Sequence, residues 1–491
     1  MEVYSEVTIY FCVIPLKQNH LYIWYLQSNK SQIVYLLKTT DDLIHTLQSL
    51  PDDADEAIVD LNFIATSFFN ALGYSSQERI PGFNTGSGQQ AVDYALRHNT
   101  EDDNFLHTKK DPYLLVELKG RDIDLTYGKG SYKTTVKQLK GYLLGSRCKS
   151  VQWGIITNSK HIQLFRKHGK VIFPATPCLE ITADNIAEVT SHIKERIANT
   201  AKALTVAVYN NKGGIGKTTT VINLAASLTL HRKKVVVIDF DPNQKDLTDS
   251  LNAQPNKHSL YDCLKDKVGK IDLKQTIYSY TKKSKSGTTF SFDIIPVDDT
   301  LSEASEDEIR REISPHSLRK KLASLKSEYD YILIDAPPNW RFYSISAVYA
   351  ADVVLIPTRH NDIRSLQNAA ITIKQYIPEI QQDRQQKSQG LEWGAIALPI
   401  FFNGEKVTEA ARVNAKKAIA SIIDRAKKDQ KIELIPYFFP LYTKGKKNTS
   451  IFELPQYAHI AYSTFEKIPA VYKSKVARDY YSQLAKEYFL Q

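Results

Sequence analysis

The sequence predicts an α/β protein of two domains: an α/β domain over residues 1–200, and a doubly wound, mainly parallel sheet over residues 201–491. Three observations carry this prediction. At 491 residues the chain is longer than one hydrophobic core ordinarily serves. Beyond residue 200, apolar runs rich in Val and Ile alternate with helical stretches. Strands buried on both faces read as continuous apolar runs, and helices between them mark a parallel sheet covered on both sides. A long helical pattern, "ADNIAEVTSHIKERIANTAKA", leads to the first of those strands and sets the boundary near residue 200.

Taken in order, "MEVYSEVTIYFCVI" predicts a strand. It opens with glutamates and lacks the basic start of a signal peptide. "HLYIWYLQSNKSQIVYLLK" predicts two strands around the polar turn "SNKS". "DEAIVDLNFIATSFFNALGY" predicts a helix closed by Gly73. Turn-rich residues follow, then strands "QAVDYAL" and "PYLLVELKG" on either side of a charged loop. A helix around "YKTTVKQLKGYLLG" precedes a hairpin of "VQWGIITNS" and "HIQLFRKHG". In the second domain the predicted strands are "LTVAVYN", "KVVVIDF", "FDIIPV", "YILIDAPP", "VVLIP", "GAIALPIFF" and "IELIPYFFP".

Composition narrows the function classes. No apolar run reaches the eighteen or so residues that cross a bilayer. The four cysteines, Cys12, Cys148, Cys178 and Cys263, lie far apart and form no C-x-x-C, which argues against a disulfide framework, a zinc site or an iron–sulfur site and fits a reducing cytoplasm. The net charge of +10 is compatible with a nucleic-acid partner.

The stretch "YNNKGGIGKTTT" follows a strand and precedes a helix. Backbone N–H groups of such a Gly-rich loop and the positive end of the helix cradle phosphates. Gly213, Gly214, Ile215 and Gly216 supply the loop, Lys217 the charge for the terminal phosphates, and Thr218 a hydroxyl for Mg²⁺. Asn211 stands where the eight-residue pattern has its first glycine. Two strand ends add carboxylates: Asp239 and Asp241 in "VVVIDFDPN", and Asp335 in "YDYILIDAPP", a partner for hydrated Mg²⁺. Lys212 is a second lysine five residues before the first. On a loop edge facing a twofold axis it could neutralise triphosphate charge on another subunit.

These motifs resemble those of ParA-type ATPases, in the group that includes MinD, from about residue 204 to the C-terminus. "SLYDCL", "FDIIPVDDTLSEAS", "ADVVLIPT" and "ARDYYSQLAKEY" fall where that family has similar segments. The resemblance implies a P-loop NTPase fold, ATP and Mg²⁺ as cofactors, and a homodimer closed around two ATP molecules. It implies that Lys212 crosses to the partner's phosphates, that Asp241 orients the attacking water and that Thr219 contacts phosphate. Two stretches depart from the family: "DPNQ" after Asp239, and "RHNDIRSLQN" at 359–368. Family members bind DNA through C-terminal basic residues. Here Arg412, Lys416, Lys417, Arg425, Lys427, Lys428 and Lys431, then Lys444, Lys446 and Lys447, form such a segment. No basic–aromatic extension follows the last helix, so no membrane anchor is expected.

The first domain carries a second constellation. Glu117 and Lys119, two apart on a strand, project to one face, and Asp93 lies on another strand. Two carboxylates can hold Mg²⁺ or Mn²⁺ against a phosphodiester, and a lysine can orient the attacking water. Gln138 and Tyr142 share a helix face. Asp93, E-L-K at 117–119 and Q-x-x-x-Y at 138–142 resemble the PD-(D/E)XK nucleases, notably the N-terminal domain of type I restriction motor subunits and RecB-like nucleases. Val92 stands where that family has proline, and either Glu56 or Asp60 fits its upstream helical acid.

The combined expectation is a dimerising, ParA-like, DNA-associated ATPase in plasmid partition or cargo positioning. It would be nucleoid-associated in the cytoplasm, with a ParB-like or centromere-binding adaptor as partner. The alternative is an ATP-gated, Mg²⁺-dependent endonuclease in defence or mobile-element control.

Overall fold

The computed structural model describes residues 30–88, 90–283, 287, 289–404, 407–440, 453–455 and 466–491. The strand expected at the N-terminus, the first of the pair around "SNKS", Cys12, and Lys444, Lys446 and Lys447 lie outside those residues.

The first sheet is built from β1 (Arg79–Phe83), β2 (Val92–Leu96), β3 (Leu114–Leu118), β4 (Trp153–Thr157), β5 (His161–His168), β6 (Val171–Pro174) and β7 (Leu179–Glu180). Its order is β1-β2-β3-β4-β5-β6, with β7 also on β5. Only the β3–β4 pair is parallel. That pair is joined by the helix Gly130–Leu143, as a parallel crossover requires. One face of the sheet packs Val116, Ile155 and Leu164 against the helical segment of residues 56–72 and the helix Ile186–Ala198. The other packs Leu115, Ile156 and Phe165 against Leu139 and Tyr142 of the crossover helix.

The second sheet contains β8 (Leu204–Val208), β9 (Val235–Asp239), β10 (Tyr278–Lys283), β11 (Thr289–Ile295), β12 (Tyr331–Asp335), β13 (Val353–Leu355) and, beyond the short β14 (Pro357–Thr358), β15 (Ile396–Ala397). Its order is β10-β11-β9-β12-β8-β13-β15. All pairs are parallel except the edge hairpin β10–β11. Alternate residues feed two cores. Val206, Val208, Val235 and Val237 meet the helices Lys217–Leu230 and Lys475–Tyr488, while Ala207, Val236, Ile238 and Ile334 meet the opposite layer. This is the two-sided burial predicted by the apolar runs.

The two sheets share a seam. Val171 of β6 belongs to the core of the second sheet. Lys170 N donates to Phe489 O at 3.1 Å. Gly169, at φ +56°, leaves no room for a Cβ beside that carbonyl.

Four expectations are corrected. The run "QIVYLLK" lies in the helix Lys30–Ser49, not in a strand, because the chain continues into Leu43, Leu47 and Leu50, buried at helical spacing. The turn-rich stretch after residue 74 contains β1, an edge strand that tolerates Pro81 because its N–H side needs no partner. "GAIALPIFF" divides. β15 stays in the main sheet, and β16 (Phe401–Gly404) leaves it for a small parallel sheet ordered β14-β16-β17, with β17 at Glu453–Pro455. "IELIPYFFP" contains the short helix Ile435–Phe438, with Pro436 in its first turn. There a missing N–H costs nothing, and Glu433 accepts from Ile435 N at 2.9 Å.

Candidate functional site

β8 ends at Val208, and the chain loops through residues 210–216 into the helix Lys217–Leu230. The loop is fastened at both ends by residues distant in sequence. Buried Asn210 donates to the carbonyls of Pro357 and Ser365 at 2.9 and 3.0 Å. Asn368 donates to Asn211 O. At the other end Gly216 caps the helix at φ +83°. Asn403, just beyond Phe402, donates to Ile215 O at 2.9 Å and Gly216 O at 3.4 Å. The amide groups of the first helical turn have no intrahelical acceptors and form the anion cradle.

Lys217 is 7% exposed and donates to Lys212 O at 3.3 Å. Burial pulls its ammonium pKa down, opposed by Asp335, Asp241 and Asp246. In the sheet β12 lies between β9 and β8, and Asp335 pairs in register with Asp239. Both carboxylates therefore arrive at the C-terminal edge, beside the loop. Asp239 accepts from Thr248 N and Oγ1 at 2.8 and 2.7 Å, and burial pushes its carboxyl up to about 6. Asp335 is also pushed up, by burial first and then by Asp239, while the Thr218 hydroxyl favours its ionised form. Its Oδ1 is buried without a partner. Burial raises Asp241 as well, while backbone N–H groups of Gln244 and Asn243 and the charge of Lys217 favour its ionised form.

Three buried acids against one ammonium leave excess negative charge, and Asp335 Oδ1 awaits a partner. A divalent cation meets both needs, since Mg²⁺ is held by one or two carboxylates, a hydroxyl and substrate phosphates.

Lys212 is one-third exposed and stands 3.9 Å from Asp362, which caps the helix Ile363–Ile371. The stretch 359–368 that departs from the family pattern therefore packs along the phosphate loop, through Asp362, Ser365 and Asn368. Sequence reasoning missed Asp246, Thr248, Asn210 and Asn403. For Asn210 and Asn403 the signal was an asparagine directly after an apolar run; the others carried none.

The first domain assembles its own cluster at the end of β3. Asp93 Oδ2 accepts from Leu118 N at 2.6 Å, and the Asp93 and Glu117 carboxyls lie close enough to act on each other. Lys119 Nζ donates to Glu117 Oε1 at 2.8 Å and to Glu56 Oε2 at 3.4 Å. Glu117 is 1% exposed and its Oε2 has no partner. Burial first, then Asp93, pushes its carboxyl up to about 7. Glu56 and Asp60 both adjoin the cluster: Glu56 pairs with Lys119, while Asp60 accepts from Tyr94 OH at 3.0 Å and acts on Asp93. Gln138 donates to Tyr142 OH at 2.9 Å, and that phenol feels Glu117, Asp93 and Lys119. Among the described residues no set of three or more His, Cys, Asp or Glu is arranged as a metal site. An ion here would rest on Asp93 and Glu117, with water or phosphate oxygens completing its shell.

The basic helix Glu409–Gln430 exposes Lys416, Lys417, Arg425, Lys427 and Lys428, with Lys431 at its C-cap; Arg412 is half-buried. No helix among the described residues is long and apolar enough to cross a membrane.

The phosphate loop and the strand-end acids define a P-loop domain. Residues 203–390 match the family model described as AAA domain. The chain is 35% identical over 159 residues to the sporulation initiation inhibitor protein Soj of Bacillus subtilis, covering 31% of this chain and 57% of Soj. It is 29% identical over 225 residues to the chromosome partitioning protein ParA of Myxococcus xanthus, covering 44% and 74%. An uncharacterized protein of Pseudomonas putida is 37% identical over 152 residues, covering 31% and 54%. The chain spans about half the length of the first of the curated relatives it matches. Over this region the chain is similar to the Soj and ParA proteins.

Proposed function

We propose that the chain is an ATP-dependent, dimerising ATPase that binds DNA without sequence preference and acts in DNA partition or cargo positioning. The carrying observation is Lys217 at the phosphate loop, ringed by Asp239, Asp241 and Asp335 at one sheet edge. In this reading residues 201–491 are the ATPase domain and residues 1–200 an adaptor for DNA or a partner protein such as a centromere-binding protein. The protein works in the cytoplasm, on the nucleoid.

The loop amides, Lys217 and Thr219 hold the triphosphate; Thr218, Asp335 and Asp239 hold Mg²⁺, which neutralises charge on the phosphates. Asp241 orients water toward the terminal phosphate. Lys212 leaves Asp362 and meets the phosphates of a second copy, so ATP joins two chains and hydrolysis parts them. The test is calorimetric. Parent protein binds ATP–Mg²⁺ and Lys217→Ala does not, because an unneutralised triphosphate is costly to hold. Normal affinity in that variant refutes the reading.

The Asp93–Glu117–Lys119 cluster favours a second reading, an ATP-gated endonuclease whose Mg²⁺ or Mn²⁺ rests on the two acids. Buried Glu117 with an unpartnered oxygen is the specific support. Metal-dependent DNA cleavage, lost in Glu117→Ala while ATP hydrolysis persists, supports it; silence on duplex, single-stranded and supercoiled DNA leaves the adaptor role.

A further inference from the structure

At the seam between the two sheets lies a partly open cavity of about 140 Å³, lined by residues of neither acid cluster. Five cationic side chains line it: Arg166 and Arg196 from the first domain, Arg319, Lys326 and Arg384 from the second. Against them stand two carboxylates, Asp352 and Glu392. Glu392 is shared, with Arg196 at 2.8 Å and Arg319 at 2.7 Å. Lys326 approaches Asp352 only to 3.9 Å, and Asp352 also accepts from Thr205 N at 2.9 Å. Arg166 and Arg384 spend their donors on carbonyls, those of Gln152 and Ala201 for the one and of Tyr349 and Ala351 for the other. Carbonyls satisfy hydrogen bonds but carry no counter-charge. Three positive charges therefore remain uncompensated around the cavity, and Arg319 Nη1 is buried without a partner. Burial drives Lys326 down to about 8 and Arg384 down to about 9, the direction that crowded, desolvated cations take.

Such an arrangement is costly when empty, since a buried charge without a counterpart is destabilising. We infer that the seam is a binding site for a phosphate group, free or as a small monoester, held by Arg319 Nη1 of one domain and Arg196 of the other, beside the Glu392 carboxylate that their Nη2 atoms share. A dianion matches the surplus charge, and arginine forks suit tetrahedral oxyanions. The volume is that of a site for a benzene-sized guest, about 150 Å³, which admits phosphate and excludes a whole nucleoside triphosphate. Because its lining comes from both domains, occupancy would tighten their docking.

The experiment uses the full chain at constant ionic strength, with chloride as the balancing anion. Inorganic phosphate and glycerol 1-phosphate are titrated while the thermal midpoint and the fluorescence of Trp153 and Trp393, both lining the cavity, are followed. The expected result is a saturable rise in midpoint and a fluorescence change. Arg319→Gln should weaken the response by about tenfold or more, the worth of one charge-assisted hydrogen bond. In a Lys217→Ala background, which weakens anion binding at the phosphate loop, a saturable response should persist and should still be weakened by Arg319→Gln. Arg196→Gln, on a more exposed helix, gives the same comparison should Arg319→Gln fail to fold. Equal response to both probes identifies free phosphate; a stronger response to the ester identifies a monoester. The inference is overturned if neither probe acts beyond chloride, or if the response vanishes in Lys217→Ala and survives in both arginine variants, which would assign the anion to the phosphate loop.

Discussion

Gly216→Ala tests how the phosphate loop is held. The residue sits at φ +83°, where an L side chain costs about 1–2 kcal/mol. Its Cβ would also collide with Asn403 Nδ2. That nitrogen is the end of a side chain and can move, but only by giving up its bonds to Ile215 O and Gly216 O. Their net loss adds about 1–2 kcal/mol, so the whole cost is about 2–4 kcal/mol. Hydrogen exchange across residues 217–230 reads this as faster opening, by about 30- to 1,000-fold. In an Asn403→Ala background only the backbone strain remains, and the same substitution accelerates exchange by about 5- to 30-fold. Equal acceleration in both backgrounds would show that Asn403 does not rest on Gly216. No acceleration in either would refute the left-handed cap itself.

Glu117 predicts a pH dependence. Its folded pKa is raised from 4.5 to about 7, so its contribution to stability is fully present below the unfolded value and is lost as pH rises toward 7. Glu117→Gln should flatten that slope in thermal unfolding without metal. Mn²⁺ needs the ionised pair, so its affinity for the first domain should climb by about tenfold per pH unit below 7 and level off above; a flat profile would remove Glu117 from the site. On the basic helix, changing Lys427, Lys428 and Lys431 together to Glu should weaken binding to all DNA sequences alike. It should also reduce the slope of log affinity against log salt by about 3, one for each phosphate that a lysine no longer neutralises. An unchanged slope moves the DNA surface elsewhere.

Most strands of both sheets were legible because buried strands announce themselves as apolar runs; Asp239 and Asp335 were legible as the ends of such runs, and Glu117 with Lys119 because a spacing of two places residues on one face. What could not be read was held by contacts across long sequence distances. Asn403 reaches the phosphate loop from 187 residues away, and Asp362 sits in a stretch whose departure from the family pattern gave no geometry. The helix Lys30–Ser49 was misread because its aromatic and branched residues favour a strand locally, while Leu43, Leu47 and Leu50 settle it through packing. "IELIPYFFP" failed for the same reason: its apolar run fits either element, and the proline decides only once the helix start is known. The seam cavity was invisible because its charges come from both domains, scattered from Arg166 to Glu392.

The most direct measurement of the central claim is sedimentation velocity with ATP and Mg²⁺. The account predicts that Asp241→Ala, which binds ATP without turning it over, sediments as a dimer, and that adding Lys212→Ala to it restores the monomer because the charge contact across the twofold axis is gone. A double variant that still dimerises with ATP, or an Asp241→Ala protein that stays monomeric at saturating nucleotide, would contradict it.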